Sequence, residues 1–337
     1  MYPTLYASYL MIVPDYWAEA RQQHRAAGKQ ITIRRWGWSS SSEDDARAMA
    51  EARAAEALQR LLGGEKLTRR EPKAAYNGAF GVPIREEVLS RHGEEVVTRN
   101  SYGAHCLNTP RALFADVDFA STPRAGLRFA VFGLLALLAV VIGGFHLRSW
   151  GVAGGLLLLA LLLTGPLAGG MDRLNLLRKG GHERIARQRL MDFLARHPAW
   201  NVRLYRTPGG FRLLATHQAF EASAPEVQQF FAAIGADPVY VRMCSNQQCF
   251  RARLTAKPWR IGISDHMRPR PGIWPVPPDR LGVRQQWVAA YERAAASHSA
   301  CHFVESLGSG KVDPEISVVV ALHDREARAH EFALAVA

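Results

Sequence analysis

The hydrophobic pattern of this chain changes character twice. Up to about residue 123, apolar and polar positions mix in short stretches. Two uncharged apolar runs then follow, 129–147 (FAVFGLLALLAVVIGGFHL) and 150–171 (WGVAGGLLLLALLLTGPLAGGM), separated only by Arg148 and Ser149. Beyond residue 171 the mixed pattern returns. A helix rises about 1.5 Å per residue, so ~20 residues cover the ~30 Å hydrocarbon core of a bilayer. Each run is long enough. A helix packed in a water-soluble domain normally keeps one polar face, and neither run has one. The pattern predicts a transmembrane helical hairpin at 127–171, with spans at 129–147 and 150–171.

The flanking periods are shorter. Residues 31–38 (ITIRRWGW) have strand composition. Ser42 precedes Glu43, Asp44 and Asp45, an N-cap with acids at the positive end of a helix dipole, and that helix is predicted to run to Gly63 and Gly64. Pro83 and Gly93 bracket a short predicted helix at 84–92. Residues 95–98 and 112–119 read as strands. After the spans, 182–197 is an arginine-rich helix ended by Pro198, and 202–206 and 211–217 flank a Thr207-Pro208-Gly209-Gly210 turn, a β-hairpin signal. Ser223 is a predicted cap for a helix ending near Gly235. Stretches 239–243, 250–254, 259–263 and 317–322 read as strands, 285–296 as a helix, and the proline-rich 268–278 (RPRPGIWPVPP) as extended loop. The mixture predicts an α+β soluble domain interrupted by the transmembrane α-helical hairpin, with 1–123 and 172–337 as its two parts.

Charge sets the expected orientation. Arg111, Arg124 and Arg128 precede the spans, and Arg173, Arg178, Lys179, Arg184, Arg187 and Arg189 follow them, whereas the link holds only Arg148. The positive-inside rule puts both flanks, and so both termini, on the cytoplasmic side of a bacterial inner membrane. The start of the chain lacks the basic segment of a signal peptide. Neither span contains Asp, Glu or Lys, which argues against an ion pathway through one copy. Gly143, Gly144, Gly151, Gly154 and Gly155 lie near the turn, where small residues let helices approach, and a homodimer through the hairpin is one expectation. The net charge is +12, of which 1–123 carries +1 and 172–337 carries +8. A basic surface beside a membrane attracts anionic lipid, and the second basic stretch, 242–284, also suits a nucleotide or polyanion. In a reducing cytoplasm, Cys106, Cys244, Cys249 and Cys301 are expected as thiols or metal ligands.

Four constellations are candidates for chemistry. In FADVDF, Asp116 and Asp118 fall on one strand face, and paired carboxylates there suit a divalent cation, Mg²⁺ or Mn²⁺, of the kind used in nucleotidyl transfer. Gly209 and Gly210 form a turn that can approach phosphate, with Arg212 and His217 on the return strand. Arg251, Arg253, Lys257 and Arg260 interleave with Trp259, a combination for phosphate contact with base stacking. Cys244 and Cys249 (C-x4-C) with His298 and His302 (H-x3-H, read as one helix face) form a weaker zinc candidate. His105 and Cys106 stand adjacent without a third group nearby in sequence.

An aspartate pair on a strand, then a helix, then a strand, glycine turn and strand ending in His217, resembles the archaeo-eukaryotic primase superfamily. That resemblance implies an RNA-recognition-type sheet, metal ligands at Asp116 and Asp118, a phosphate contact at His217, and a third acid among Asp265, Glu305 and Asp324. A hairpin between the first two motifs departs from the family's pattern. The strings RNSYGAHCLNTP, FADVDF and CFRARLTAKPWR also resemble those of a bacterial two-helix transmembrane protein family, which brings no activity with it. The expected function is an inner-membrane-anchored protein with a cytoplasmic nucleotide- or nucleic-acid-binding domain, in its enzymatic form a metal-dependent nucleotidyltransferase. The competing expectation is a non-catalytic membrane-associated module that binds anionic lipid or a protein partner. The first requires Asp116, Asp118 and His217 to share a cleft, and the second requires them to lie apart.

Overall fold

The computed structural model describes residues 11, 13–26, 29–71, 82–83, 85–119, 125–272 and 274–337. Ile84 and Arg124, used above as a helix start and a flanking charge, lie outside these, as does most of the segment read for a signal peptide. The chain forms two compact units, one of Met1–Val117 with Phe193–Ala337 and one of Asp118–Asp192.

In the first unit, β1 (Tyr16–Ala26) and β2 (Lys29–Ser39) make an antiparallel ribbon, and α1 (Glu43–Leu62) packs on one of its faces. The Ser42 hydroxyl accepts from the Asp45 amide (3.1 Å) and starts α1 as its sequence predicts. Ala46, Ala50, Ala54 and Ala57 recur on the buried side of α1, so the helix lies close to the ribbon. A Cβ on Gly37 would come within 2.1 Å of the Ala46 carbonyl, which explains the glycine there. The predicted strand at 31–38 is β2, but its partner β1, rich in Gln, Arg and Glu, has no strand composition to read.

Two four-stranded sheets follow. One has the order β3 (Glu87–His92), β4 (Glu95–Arg99), β5 (His105–Thr109) and β9 (Phe250–Arg253). The other has the order β11 (His302–Gly308), β7 (Asn201–Thr207), β8 (Gly210–Ala215) and β6 (Phe114–Asp118). Each sheet therefore joins strands from before and after the long apolar segment. Tyr240 links the two: its hydroxyl donates to the Phe114 carbonyl (2.9 Å) and accepts from the Arg251 amide (3.2 Å). Helices α6 (Pro238–Gln247) and α8 (Pro314–Glu326) meet β6 at Phe114 through Tyr240 and His323, α5 (Pro225–Ile234) packs Phe230 on Trp200, and α7 (Leu281–Ala295) packs Tyr291 and Ala295 against Ala104. The short strands β10 (His298–Ser299) and β12 (Ala335–Val336) pair in parallel.

Several elements differ from their sequence reading. Residues 87–92 form β3, not a helix; EVLSRH pairs with β4 across the Gly93 turn, and the pairing outweighs the punctuation. Residues 239–243 and 317–322 lie in helices α6 and α8, not strands. Each helix opens on Asp-Pro, where Asp237 accepts from the Val239 amide (3.0 Å) and Asp313 from the Glu315 amide (2.9 Å), and capping with Pro at N1 overrides β-branched composition. Residues 258–260 are a single 3-10 turn, not a strand. The helix after Ser223 is capped by Ala224 without a side-chain bond, and it stops where expected, at Gly235 in the left-handed region.

The second unit contains two helices long and apolar enough to cross a membrane, Gly126–His146 and Trp150–Arg178. The first is α2 (Ala125–Ala139), continued by a π-helical stretch, Val140–His146, and the second is α3. Between them Arg148 takes positive φ (49°), and Ser149 caps α3 through the Val152 amide. The helices come close at Gly143, where a Cβ would sit 2.5 Å from the Ala153 backbone. Phe129, Leu158 and Leu162 are among the many large apolar side chains they leave exposed. The helix α4 (Gly181–Arg196) follows.

Candidate functional site

The polar core of the first unit centres on Arg212. Strand β8 is buried along its whole length, so an arginine there must find partners inside the protein. Arg212 Nε donates to Asp116 Oδ1 (3.0 Å), Nη2 to Asp116 Oδ2 (3.4 Å) and Nη1 to the Arg253 carbonyl (2.7 Å). Burial pushes the guanidinium pKa down, but the Asp116 carboxylate outweighs it and holds the group firmly charged. Nη1 also stands 3.5 Å from His323 Nε2.

His323 is fully buried on α8. Its Nδ1 lies 3.0 Å from Asp324 Oδ1, and Nε2 faces Arg212 and the Cys301 thiol (3.9 Å). A guanidinium only donates, so Nε2 accepts and Nδ1–H donates to Asp324. Burial, with Arg212 adding, lowers the imidazole pKa and keeps it neutral. Asp324 accepts from four donors: Tyr205 Oη (2.7 Å) and His323 on Oδ1, and Arg203 Nη2 (2.7 Å) and His330 Nε2 (2.9 Å) on Oδ2. Burial alone would raise its pKa; the bonds from His323 and Tyr205 prevail and hold it at about 2. All the acceptor capacity of this carboxylate is used inside the protein.

Cys301, His323 and Asp324 thus follow one another as nucleophile, base and orienting acid do in a triad. Here, however, thiol and imidazole are both fully buried, and burial pushes the thiol up to about 11. A buried, protonated thiol serves packing and not attack.

The other predicted site residues disperse. Asp116 is ion-paired with Arg212, and Asp118 is exposed at the strand end. The Ala215 amide donates to Leu113 while Arg212 meets Asp116, so β6 and β8 run in opposite directions and His217 lies beyond the Leu113 end of the pair, away from Asp116. His217 is buried against Trp200 and Phe220, accepts from the Asn201 amide (3.4 Å), and has its pKa lowered by burial. The Gly210 amide is taken by Thr207 Oγ1 (3.1 Å), with Gly209 beside it in the turn. Arg251 forms a buried ion pair with Glu86, and Arg253 Nη1 donates to the carbonyls of Thr255 (2.5 Å) and Ala337 (3.1 Å). Lys257 and Arg260 reach the surface, where Lys257 Nζ lies 5.5 Å from the exposed Trp259 ring. Among the three acids considered with them, Asp265 is exposed, Glu305 is half-buried on β11, and Asp324 belongs to the network above.

The zinc candidates also separate. Cys244 and Cys249 are buried, with burial pushing Cys249 up to about 12. His298 and His302 do not share a helix: the first bonds the Ala294 carbonyl from β10, and the second begins β11 against Phe332. Among the described residues no three His, Cys, Asp or Glu side chains are grouped to hold a metal ion. His105, paired in sequence with Cys106, instead meets Glu292 (2.8 Å), which also takes Arg99 (2.7 Å).

Arg203, Tyr205, Cys301, His323 and His330 were missed as a group. The Asp313-Pro314-Glu315 start of α8 was the available signal, since a helix there puts His323 and Asp324 near its C-terminal end. No protein family matches this chain, and no curated protein or solved structure matches it either. The resemblance to primases gains no support from these comparisons.

Proposed function

We propose that this is a membrane-anchored protein whose soluble unit works by binding a partner rather than by catalysis. The observation that carries the reading is how the carboxylates of the polar core are engaged: Asp116, one-third exposed, is ion-paired with Arg212, and Asp324 is held by Arg203, Tyr205, His323 and His330. Carboxylates that neutralise internal donors are not poised to hold a metal or move a proton. The hairpin supplies the anchor. Its apolar side chains point outward around both helices, an arrangement that water disfavours and hydrocarbon accepts. The basic run from Arg173 to Arg189 would then rest at an anionic inner-leaflet surface, with both soluble stretches in the cytoplasm.

Alkaline carbonate extraction of membranes from expressing cells tests the anchor. The full chain should stay in the pellet, and a variant with 125–178 replaced by a short flexible linker should move to the supernatant. Release of the full chain would refute anchoring. Protease added to sealed inverted vesicles should digest the soluble unit, and protection there would reverse the proposed orientation.

A further inference from the structure

A groove of about 810 Å³ runs along β1. Its floor is formed by residues 15–22 in unbroken succession. Successive strand residues point to opposite faces, so a groove touching every one of them follows the strand's edge and not a face. That edge is open. β1 pairs with β2 on its other side, β2 is bridged beyond that at Arg70, and among the described residues nothing pairs with the outer edge of β1. Eleven residues whose outer edge is unpaired among the described residues are a template for another strand.

The walls favour an extended occupant. On one side Glu43, Arg47 and Glu51 stand four residues apart, forming a single stripe of α1. On the other lies the segment 274–278, whose Pro275, Pro277 and Pro278 have no amide proton and cannot complete a ladder themselves. Trp17 lines the groove, and its indole Nε1 is buried with no hydrogen-bond partner among the described residues. The charge is distinctive. On a chain of net charge +12, the groove carries four carboxylates, Asp15, Glu19, Glu43 and Glu51, against two arginines, Arg21 and Arg47. Asp15 pairs with Arg91, Glu19 with Arg34 and Glu43 with Arg47, while Glu51 makes no ion pair among the described residues.

We propose that the edge of β1 receives an extended, basic peptide segment of a partner protein by strand addition. Main-chain hydrogen bonds would supply affinity, and the groove's excess of carboxylates, Glu51 above all, would select the side chains. The proposal deepens the binding role argued above by naming its site and ligand, and it stands apart from the membrane anchor. A second copy fits less well, because it would set two like-charged grooves together, each with four carboxylates against two arginines.

The test uses full-length protein in zwitterionic phosphatidylcholine nanodiscs, which avoid adsorption of basic peptides to anionic lipid. Fluorescent eight-residue peptides of alternating Lys and Val, and of alternating Glu and Val, are titrated by anisotropy. The Lys peptide should bind saturably and more tightly than the Glu peptide by about tenfold or more, and Glu51→Lys should erase that preference. N-methylation of alternate peptide amides should abolish binding in one frame and spare it in the other, since only one frame faces β1. Trp17→Phe keeps the packing and should weaken binding by a few-fold. Equal binding of the two peptides, or equal effects of both methylation frames, would overturn the proposal. So would no peptide binding with a concentration-dependent dimer that Glu51→Lys alters, which would assign the edge to a second copy. Loss of carbonate resistance would refute the anchor while leaving this result intact.

Discussion

Arg212 and Asp116 face each other across adjacent strands, Nε to Oδ1 at 3.0 Å, although the two long apolar helices lie between them in sequence. The guanidinium is fully buried and the carboxylate about one-third exposed. A buried charge that loses its partner is costly, by about 3 kcal/mol or more, whereas replacing both partners with apolar groups is often nearly neutral. Asp116→Asn should therefore destabilise the soluble unit strongly, and Asp116→Asn with Arg212→Met should recover much of the loss. Chemical denaturation in detergent would check this. Simple additivity of the two variants would show that they are not coupled.

Stability should fall with acid in a way that depends on Asp324. In the unfolded chain this carboxyl takes a proton near pH 3.9, and in the folded chain only at about 2. Its contribution is thus complete above about pH 4 and is lost as pH falls through about 2, because the unfolded state binds the proton first. His217 and His323, whose pKa values burial lowers, begin the decline earlier, below about pH 6.5, where the unfolded imidazoles charge. Urea titrations across pH should show both limbs, and Asp324→Asn should flatten the lower one while reducing stability at neutral pH. An unchanged lower limb would refute the role given to Asp324.

All four cysteines are buried, and burial raises the pKa of Cys244, Cys249 and Cys301. Native protein should resist maleimide for hours at neutral pH and label at four sites once unfolded. Rapid native labelling of Cys301 would revive the Cys301–His323–Asp324 arrangement as a reactive centre.

Within the hairpin, Gly143→Leu should force α2 and its continuation away from Ala153. Overpacking of this kind costs about 1–3 kcal/mol. Proteolysis of the nanodisc-embedded protein at the Arg148 turn should quicken, while Gly154→Leu, at a position with no neighbour within 4 Å, should leave it unchanged. Equal behaviour of the two variants would contradict the packing described.

The long apolar helices were legible because nothing but length and the absence of charge is needed to read them. Helix α1 and the β7–β8 hairpin were legible because caps and glycines mark their ends. Helices α6 and α8 have the β-branched composition of strands at 239–243 and 317–322, and only the dipeptides Asp237-Pro238 and Asp313-Pro314 mark them as helix starts. Asp116 and Arg212 were both singled out, but as parts of an open site. Only pairing of β6 with β8 turns them into partners, and no local pattern records which strands will meet. Strand β1 carries no strand signal for a related reason: its Glu, Arg and Gln positions suit a solvated edge, and strand composition is a signal of buried sheet.

The most direct test of the central claim is binding of nucleoside triphosphate, with Mn²⁺ and without it, to the nanodisc-embedded full chain by isothermal titration calorimetry. Asp116→Asn with Arg212→Met, verified as folded, serves as the comparison. The account predicts no saturable, metal-dependent binding to either protein. Metal-dependent binding to the wild-type chain that disappears in the variant would contradict it and return Asp116 to the centre of a nucleotidyl-transfer site.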